Sequence, residues 1–224
     1  MRRREFLTGA TALAALAETP RGAAQTPPIA LLKPQTKSAR SLLEALSLRK
    51  TNREIGEEKL SPQMLSNLLW AAFGVNRPES GGRTAPSAMG VKEMDIYVFL
   101  SDAVYLYDAP GHTLKPVLTG DHRSKTGTQA NIGRAPVSLL YVANLEKYGG
   151  GGRGMRVDAA TQLAWSNAHA GFIGQNVYLY AASEGLASWF RAFVDAPAIA
   201  TLLSLKATQK VMYSQGVGYP TKAA

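Results

Sequence analysis

A run of five residues, Arg49-Lys50-Thr51-Asn52-Arg53, combines three cations with a hydroxyl and an amide. Arginine presents a planar fork of N–H donors that matches a phosphate group, and a threonine hydroxyl adds a short donor beside it. The run therefore predicts a phosphate-binding segment. A basic cluster of this kind is also typical of a solvated helix end, and the run alone does not separate the two interpretations.

A second candidate is the stretch from Gly81 to Gly90, which brings small residues together with one proline and one arginine. Small side chains let the backbone approach a planar ligand closely, and Ser87 offers a hydroxyl to a ring heteroatom. The same composition is common in ordinary turns. Its role therefore depends on the elements around it.

The hydrophobic pattern predicts those elements. Helical periodicity flanks the basic run, over 38–48 and from Leu60-Ser61-Pro62 to a C-cap at Gly74. Short apolar or alternating segments predict strands. The predicted strands are 94–100, 104–107, 137–143, 187–194 and 210–219; the further predicted helices are 119–132, 157–184 with a break near Ala170-Gly171, and 197–205 with Asp195 as its N-cap.

Composition limits the classes of function. The 224 residues carry a formal net charge of +9 and contain no cysteine, which excludes disulfides, thiolate metal ligands and a catalytic thiol. The excess of positive charge favours an anionic ligand or a membrane surface. It forms no stripe of cations with interleaved aromatics, so we do not expect nucleic acid as a partner. The three histidines are scattered, so we do not expect a metal site.

The N-terminus predicts export. Arg2-Arg3-Arg4-Glu5-Phe6-Leu7 is a twin-arginine pattern, followed by a small-residue apolar run over 8–17. A bilayer crossing takes about 20 helical residues, so we expect no stable membrane insertion. Small residues at 15–17 and at 22–24 both offer cleavage sites. We predict a signal peptide over 1–24, a linker or extended arm over 25–37, a domain over 38–220, and a periplasmic location.

Several segments, taken in order, resemble the nitroreductase family of flavoproteins, and more narrowly its SagB-type, or thiazole-oxazole oxidase-like, branch. They are the basic run at 49–53, Leu68-Leu69-Trp70-Ala71-Ala72-Phe73-Gly74, Arg83-Thr84-Ala85-Pro86-Ser87-Ala88, Tyr107-Asp108 with His112 and Leu114, the segments 171–179 and 181–186, and Gly216-Val217-Gly218-Tyr219-Pro220. Together they span roughly 38–220.

The resemblance implies a nitroreductase-like α+β sandwich with a mostly antiparallel central sheet flanked by helices. It also implies FMN as the cofactor and a homodimer with flavin sites at the subunit interface. Family motifs would assign the FMN phosphate and ribityl chain to Arg49, Lys50, Thr51 and Arg53, and the isoalloxazine to Ser87, Ala88 and Gly90 of the same or the partner chain. Backbone donors of Glu184, Gly185 and Leu186 would lie near flavin N1 and O2.

The resemblance also places a Lys-Tyr pair, Lys147 and Tyr148, where azoline-oxidising members remove a proton from the substrate ring. A lysine whose pKa is lowered by desolvation, or a tyrosine beside a cation, could take a proton while flavin N5 accepts a hydride. The alternative is a surface hinge, because glycines at 149–152 separate the pair from Arg153. Many relatives have a basic residue near the C-terminus for the phosphate, for which this sequence offers only Lys222.

We therefore expect an exported FMN-dependent oxidoreductase that transfers a hydride through flavin N5 to or from a small organic substrate, with an unidentified electron donor. Two alternatives stay open. One is a SagB-type azoline dehydrogenase acting on a peptide heterocycle, and the other is a flavin-binding protein without catalysis.

Overall fold

The structure is a computed structural model that describes residues 26–37, 40–129, 131–150 and 157–221. These residues contain four α-helices and nine β-strands. The helices are α1 (Leu42–Leu48), α2 (Pro62–Phe73), α3 (Ala159–Ser183) and α4 (Ala196–Leu202). The strands are β1 (Ile29–Ala30), β2 (Val75–Arg77), β3 (Gly82–Arg83), β4 (Met94–Phe99), β5 (Ala103–Asp108), β6 (Thr113–Thr119), β7 (Val137–Asn144), β8 (Ala187–Arg191) and β9 (Gln209–Gly218).

Seven strands form one antiparallel sheet in the order β1-β6-β5-β4-β7-β9-β8, and β2 pairs with β3 in a separate hairpin. Strand β7 lies near the centre, between β4 and β9. The predicted α+β class with a mostly antiparallel sheet is confirmed.

Helices cover both faces of the sheet. On one face α2 and α3 bury Leu68, Ile173 and Val177 against the strands, and on the other α4 packs Ile199 with Phe99. Strand β7 is consequently buried on both faces, which explains why its sequence is apolar apart from the buried Ser138 and the terminal Asn144.

Serine caps set the starts of the first two helices. Ser41 forms a capping box in α1: its Oγ accepts from the Glu44 N–H at 3.3 Å, and Glu44 Oε2 accepts from the Ser41 N–H at 2.7 Å. Ser61 caps α2, with Pro62 in the first turn, which agrees with the predicted start of this helix at Leu60-Ser61-Pro62. The predicted start of α1 at residue 38 lies outside the described ranges.

Helix α3 runs without interruption over 25 residues, so the predicted break near Ala170-Gly171 is wrong. The helix packs against the sheet through Ala170, Ile173 and Gly174, which are buried. Tertiary packing thus overrides the weak helix propensity of two glycines.

The predicted helix over 119–132 is also wrong. Thr119 ends β6, and the described residues between β6 and β7 contain two 3₁₀ turns, Arg123–Thr126 and Ile132–Arg134. Asn131 has a φ of 66° and Gly120 a φ of 101°, and such left-handed conformations do not continue a right-handed helix.

Residues 26–37, within the predicted linker or arm, lie extended along the molecule. Strand β1 pairs with the start of β6, and the Leu32 carbonyl accepts from the Ser66 hydroxyl and lies 3.1 Å from His112 Nε2. Burial lowers the pKa of His112, which favours its neutral form.

The predicted signal peptide lies outside the described residues. Of the helices that the structure describes, none has the length and apolarity that a membrane crossing requires.

Candidate functional site

A cavity of about 250 Å³ lies at the C-terminal end of α3, beside the basic run. It is lined by residues from the segment before α1, the last residue of α1, the basic run, α3 and the turn after it, β8 and the segment after β9. They are Arg40, Leu48, Lys50, Asn52, Tyr178, Ala181, Ala182, Gly185, Leu186, Ser188 and Pro220. The cavity thus joins one predicted phosphate ligand, Lys50, to two residues of the predicted ring site.

Backbone and aromatic contacts hold the basic run in place. The Asn52 N–H donates to the Ser188 carbonyl at 2.9 Å, so the run lies alongside β8. Thr51 Oγ1 lies 2.9 Å from the Tyr178 hydroxyl, and the Arg49 guanidinium carbon lies 5.5 Å from the Tyr178 ring centroid. Arg53 lies over the Trp189 ring at 5.1 Å.

The three cations of this run have no salt-bridge partner within the part of the chain that the structure describes. Aromatic faces stabilise the two arginines without neutralising their charge. Because Lys50 is exposed and lines the cavity, the segment is suited to an anionic ligand.

The end of α3 supplies the opposite wall. Gly185 adopts a φ of +71°, a left-handed conformation that favours glycine after a helix. The N–H groups of Glu184 and Leu186 donate to α3 carbonyls at 3.1 and 2.7 Å, whereas that of Gly185 makes a longer bond of 3.5 Å. Of the three predicted backbone donors, Gly185 therefore has the weakest existing bond.

The loop predicted to contact the flavin ring, residues 87–90, packs against a different part of α3, at His169. The Ala88 N–H donates to His169 Nε2 at 2.9 Å, and His169 Nδ1 lies 2.6 Å from Glu93 Oε1. Since Nε2 accepts a hydrogen bond, Nδ1 carries the proton and donates to the carboxylate. Ser87 Oγ accepts from the Lys92 N–H at 3.0 Å, and Gly90 adopts a φ of +69°. His169 and Glu93 are 4% and 0% exposed, so a buried pair fixes this loop.

The nominated catalytic pair lies near the same part of α3. Lys147 Nζ forms a salt bridge of 2.6 Å with Asp95 Oδ1. Tyr148 is buried, and its hydroxyl lies 3.5 Å from Ser166 Oγ. Burial raises the pKa of Tyr148, so its phenol is protonated near neutral pH. Arg153 and the other residues of 151–156 lie outside the described residues, as does Lys222.

The predicted site residues therefore form two groups. One contacts α3 at residues 166–169, and the other at its C-terminal end, residues 181–186. At about 1.5 Å of rise per helical residue, the groups are about 20 Å apart within one chain. A single chain does not bring them together.

Sequence reasoning missed several residues that build these groups. Arg40 Nη1 donates to the Ser183 carbonyl at 2.6 Å, and Tyr178 holds the basic run. Tyr178 lies within a quoted motif, which offered a signal. His169 and Glu93 meet across 76 positions of sequence, and no local pattern indicates that contact.

The fold places three cations without a salt-bridge partner in the described chain beside a cavity at the end of α3, an arrangement suited to an anionic ligand. Residues 46–219 match the nitroreductase family. A nitroreductase-family protein of Methanocaldococcus jannaschii is 32% identical over 155 residues, which cover 65% of this chain and 75% of that protein. The chain belongs to the nitroreductase family, and it is an oxidoreductase of that flavoprotein family.

Comparison with solved structures supports the same fold. A nitroreductase crystal structure from Ralstonia eutropha JMP134 is 37% identical, with a TM-score of 0.81 over 88% of this chain and 90% of that chain. The NADPH:FMN oxidoreductase of Vibrio harveyi, in complex with NAD+, is 15% identical with a TM-score of 0.59 over 81% of this chain and 69% of that chain. The second likeness concerns the fold alone.

Proposed function

We propose that this protein is an exported, FMN-dependent oxidoreductase that moves a hydride to or from a small organic substrate. Family membership supports the reaction class. The observation that carries the proposal is the cavity that joins Lys50 of the basic run to Gly185 and Leu186 at the end of α3.

The cavity residues fit part of an FMN molecule. The unopposed cations suit the phosphate, and the small residues Ala181, Ala182 and Gly185 leave room for a flat ring. A methyl group added at Gly185 would meet no heavy atom within 4 Å. The cavity, at about 250 Å³, is smaller than the roughly 300–1,000 Å³ typical of small-molecule sites. One chain therefore holds only part of the cofactor.

When bound, FMN supplies hydride exchange at N5. The residues of this chain would bind and orient it. Lys50 and Arg49 would hold the phosphate, with Arg49 and Thr51 already fixed against α3 by Tyr178. The Gly185 N–H, whose intrachain bond is long, is the donor best able to serve a second acceptor.

We further propose a homodimer with composite sites. The short helix α1 exposes four leucines, and α3 exposes two large apolar side chains, which is unusual for a protein surface. They are Leu42, Leu43, Leu46 and Leu48, and Leu163 and Phe172. A second copy that covers this surface would bring its own 87–90 loop to the cavity, which would resolve the separation of about 20 Å along α3.

Two measurements on the same variants, sedimentation for the oligomeric state and absorbance for the bound flavin, test the proposed dimer and its composite sites. Leu43→Glu places a charge in the proposed interface, and we expect monomers that lose flavin. Val117→Glu makes the same kind of change at an exposed apolar residue of β6, and we expect dimers with normal flavin. A wild-type chain that sediments as a monomer with full flavin would contradict the composite site.

A narrower candidate is a SagB-type azoline dehydrogenase. The adjacent, positioned side chains of Lys147 and Tyr148 favour it. Because its phenol is protonated, Tyr148 would donate rather than accept a proton near neutral pH. Loss of azoline oxidation in Lys147→Ala and Tyr148→Phe, with flavin retained and nitro-compound reduction unchanged, would support this branch. Azoline oxidation that survives both changes would contradict it.

Export rests on the twin-arginine pattern alone. Cell fractionation of the full chain tests it against Arg3→Lys/Arg4→Lys. We expect periplasmic wild-type protein and retention of the variant in the cytoplasm. Equal cytoplasmic retention of both would contradict export.

The first test of the cofactor is the visible absorption spectrum of the purified protein, with identification of any ligand released on denaturation. We expect a flavin spectrum and FMN near one per chain. A colourless protein that fails to bind added FMN would contradict the proposal. Bound flavin that exchanges hydride with no donor would instead indicate a flavin-binding protein without catalysis.

A further inference from the structure

A second cavity, of about 260 Å³, lies where α2 ends and strands β3, β4 and β5 meet the turn into β6. It is distinct from the cavity at the end of α3 and shares no lining residue with it. Its walls combine apolar side chains with six charged ones. The charged residues are Arg83, Lys92, Asp95, Asp108, Lys115 and Lys147.

Two of the four cations are neutralised within the cavity. Lys115 lies 2.7 Å from Asp108, and Lys147 lies 2.6 Å from Asp95. Arg83 and Lys92 form no salt bridge with any residue that the structure describes. The cavity therefore carries an excess of two positive charges.

Arg83 is only partly satisfied. Its guanidinium carbon lies 5.3 Å from the Phe73 ring centroid, and Nη1 donates to the Phe73 carbonyl at a long 3.4 Å. Its Nε is buried with no hydrogen-bond partner in the described chain. Burial lowers the pKa of Arg83, although Tyr107 and Asp108 partly oppose that shift. A carboxylate would meet this planar fork with two oxygens.

A strained loop places Lys92 at the cavity. Met89 and Lys92 have φ values of 54° and 56°, in the left-handed region that residues other than glycine rarely adopt. Gly90, between them, has a φ of 69°. Such strain persists only where the surrounding structure imposes it, and it is concentrated at ligand-binding segments. Here the Ser87 hydroxyl, which accepts from the Lys92 N–H, helps to impose it.

The remaining wall is apolar. It is formed by Phe73, Met94, Ile96, Leu106, Tyr107 and Pro110, with Ala109. The volume of about 260 Å³ lies below the roughly 300–1,000 Å³ of sites for drug-sized ligands. A ligand contained in this cavity alone is therefore small, and a dinucleotide is too large for it.

We propose that this cavity binds a small monocarboxylate with an apolar or aromatic body. Arg83 holds the carboxylate in its fork, Lys92 adds a second positive charge, and the apolar wall receives the body of the ligand. Binding here uses neither Lys50 nor Gly185 and requires no bound flavin, so it can be tested separately from the proposed cofactor site, although Lys147 of the azoline dehydrogenase candidate lines the same cavity.

Isothermal titration of the full chain, with its flavin content measured, tests the proposal with benzoate and its neutral isostere benzamide. We expect benzoate to bind about tenfold or more tightly than benzamide, since only benzoate makes charge-assisted hydrogen bonds. Equal affinities, or no binding of benzoate, would overturn the proposal. Inorganic phosphate that competes as well as benzoate would overturn the apolar part of the assignment.

Variants locate the binding. We expect Arg83→Gln to weaken benzoate binding about tenfold or more, and Lys92→Gln to weaken it less, because a lysine makes no planar pair. Leu106→Trp fills the cavity and should abolish binding in a chain with native charge. Lys125→Gln, an exposed charge outside the cavity, should leave the affinity unchanged. Unaltered affinity in both Arg83→Gln and Leu106→Trp would overturn the proposal, whereas flavin loss with benzoate binding intact would bear only on the proposed function.

Discussion

The two parts of α3 that contact predicted site residues are held in opposite ways. At residue 169 the helix fixes the 87–90 loop through Glu93 and His169, a buried pair whose members meet at 2.6 Å. At its C-terminal end the helix faces Lys50, which lines an open cavity without a salt-bridge partner in the described chain. The first arrangement engages both His169 nitrogens and one Glu93 oxygen within the protein, although Glu93 Oε2 is buried with no partner in the described chain, and the second leaves Lys50 available to a ligand.

This difference separates stability from binding. A buried polar pair contributes to folding, because removal of one partner leaves the other unsatisfied in a dry environment. An exposed cation adds little to folding but can contribute to the binding of an anion. Substitutions at the two places should therefore change different measurements.

The largest expected effect is on stability, at the Glu93–His169 pair, which we call the closed end of α3; the end that faces Lys50 is the open end. Glu93→Ala removes the acceptor of the His169 Nδ1–H, and we expect a loss of about 3 kcal/mol in the free energy of unfolding. Urea denaturation measures it. In Glu93→Ala/His169→Ala both polar partners are gone, so the double variant should lose less stability than the sum of the losses in Glu93→Ala and His169→Ala. Strict additivity would show that the pair does not act as a unit.

Two glycines in the middle of α3, Gly171 and Gly174, test how closely the helix packs against the sheet. A Cβ added at Gly174 would lie 2.5 Å from the Phe190 ring, whereas one added at Gly171 would meet nothing within 4 Å. We expect Gly174→Ala to cost about 2 kcal/mol through overpacking. Gly171→Ala should gain about 0.5–1 kcal/mol from helix propensity. Thermal and urea unfolding of the matched pair provide the measurement, and equal effects would contradict the packing described for Gly174.

At the open end, Lys50→Gln should change binding and not folding. If Lys50 contacts the FMN phosphate, we expect the flavin dissociation constant to rise about tenfold, which corresponds to about 1.4 kcal/mol. The unfolding free energy of the flavin-free protein should change by less than about 0.5 kcal/mol. Lys59→Gln, another exposed lysine, is the control and should alter neither quantity. A large loss of stability in Lys50→Gln would remove the contrast between the two ends.

The smallest expected effect is a pH dependence at the closed end. Burial raises the folded-state pKa of Tyr148 above its unfolded value. The stabilisation is fully present below about pH 10, the unfolded pKa, and is lost as pH rises through the folded pKa. Tyr148→Phe should therefore lose less stability than wild type between pH 9 and pH 11, by about 1 kcal/mol or less. Identical pH profiles in urea denaturation would contradict this assignment.

Much of the fold could be predicted because its signals are local. The apolar strands β4, β5, β7 and β9 and the N-caps Ser61 and Asp195 follow from neighbouring residues. Strand β6 was missed because it contains Pro116, which cannot donate to a ladder hydrogen bond. The structure places it next to β1, which covers only the first two residues of β6.

The candidate site was predictable only in part. Motif resemblance indicated Lys50, Gly185 and Leu186, and the structure places all three around one cavity. The contact of Ala88 with His169 joins residues 81 positions apart. Its partners are ordinary members of a loop and a helix, so their meeting depends on the packing of α3 against the sheet.

The position of β9 has a consequence for the timing of folding. This strand comes ninth in chain order, yet it lies inside the sheet between β7 and β8. During synthesis β7 can pair with β4, but its other edge stays open until residues 209–218 have left the ribosome. An open edge on a buried, apolar strand is a template for pairing with other chains. The nascent chain is therefore most vulnerable to aggregation after β7 has emerged and before β9 has, and the sheet reaches its native strand order only once residues 209–218 are available.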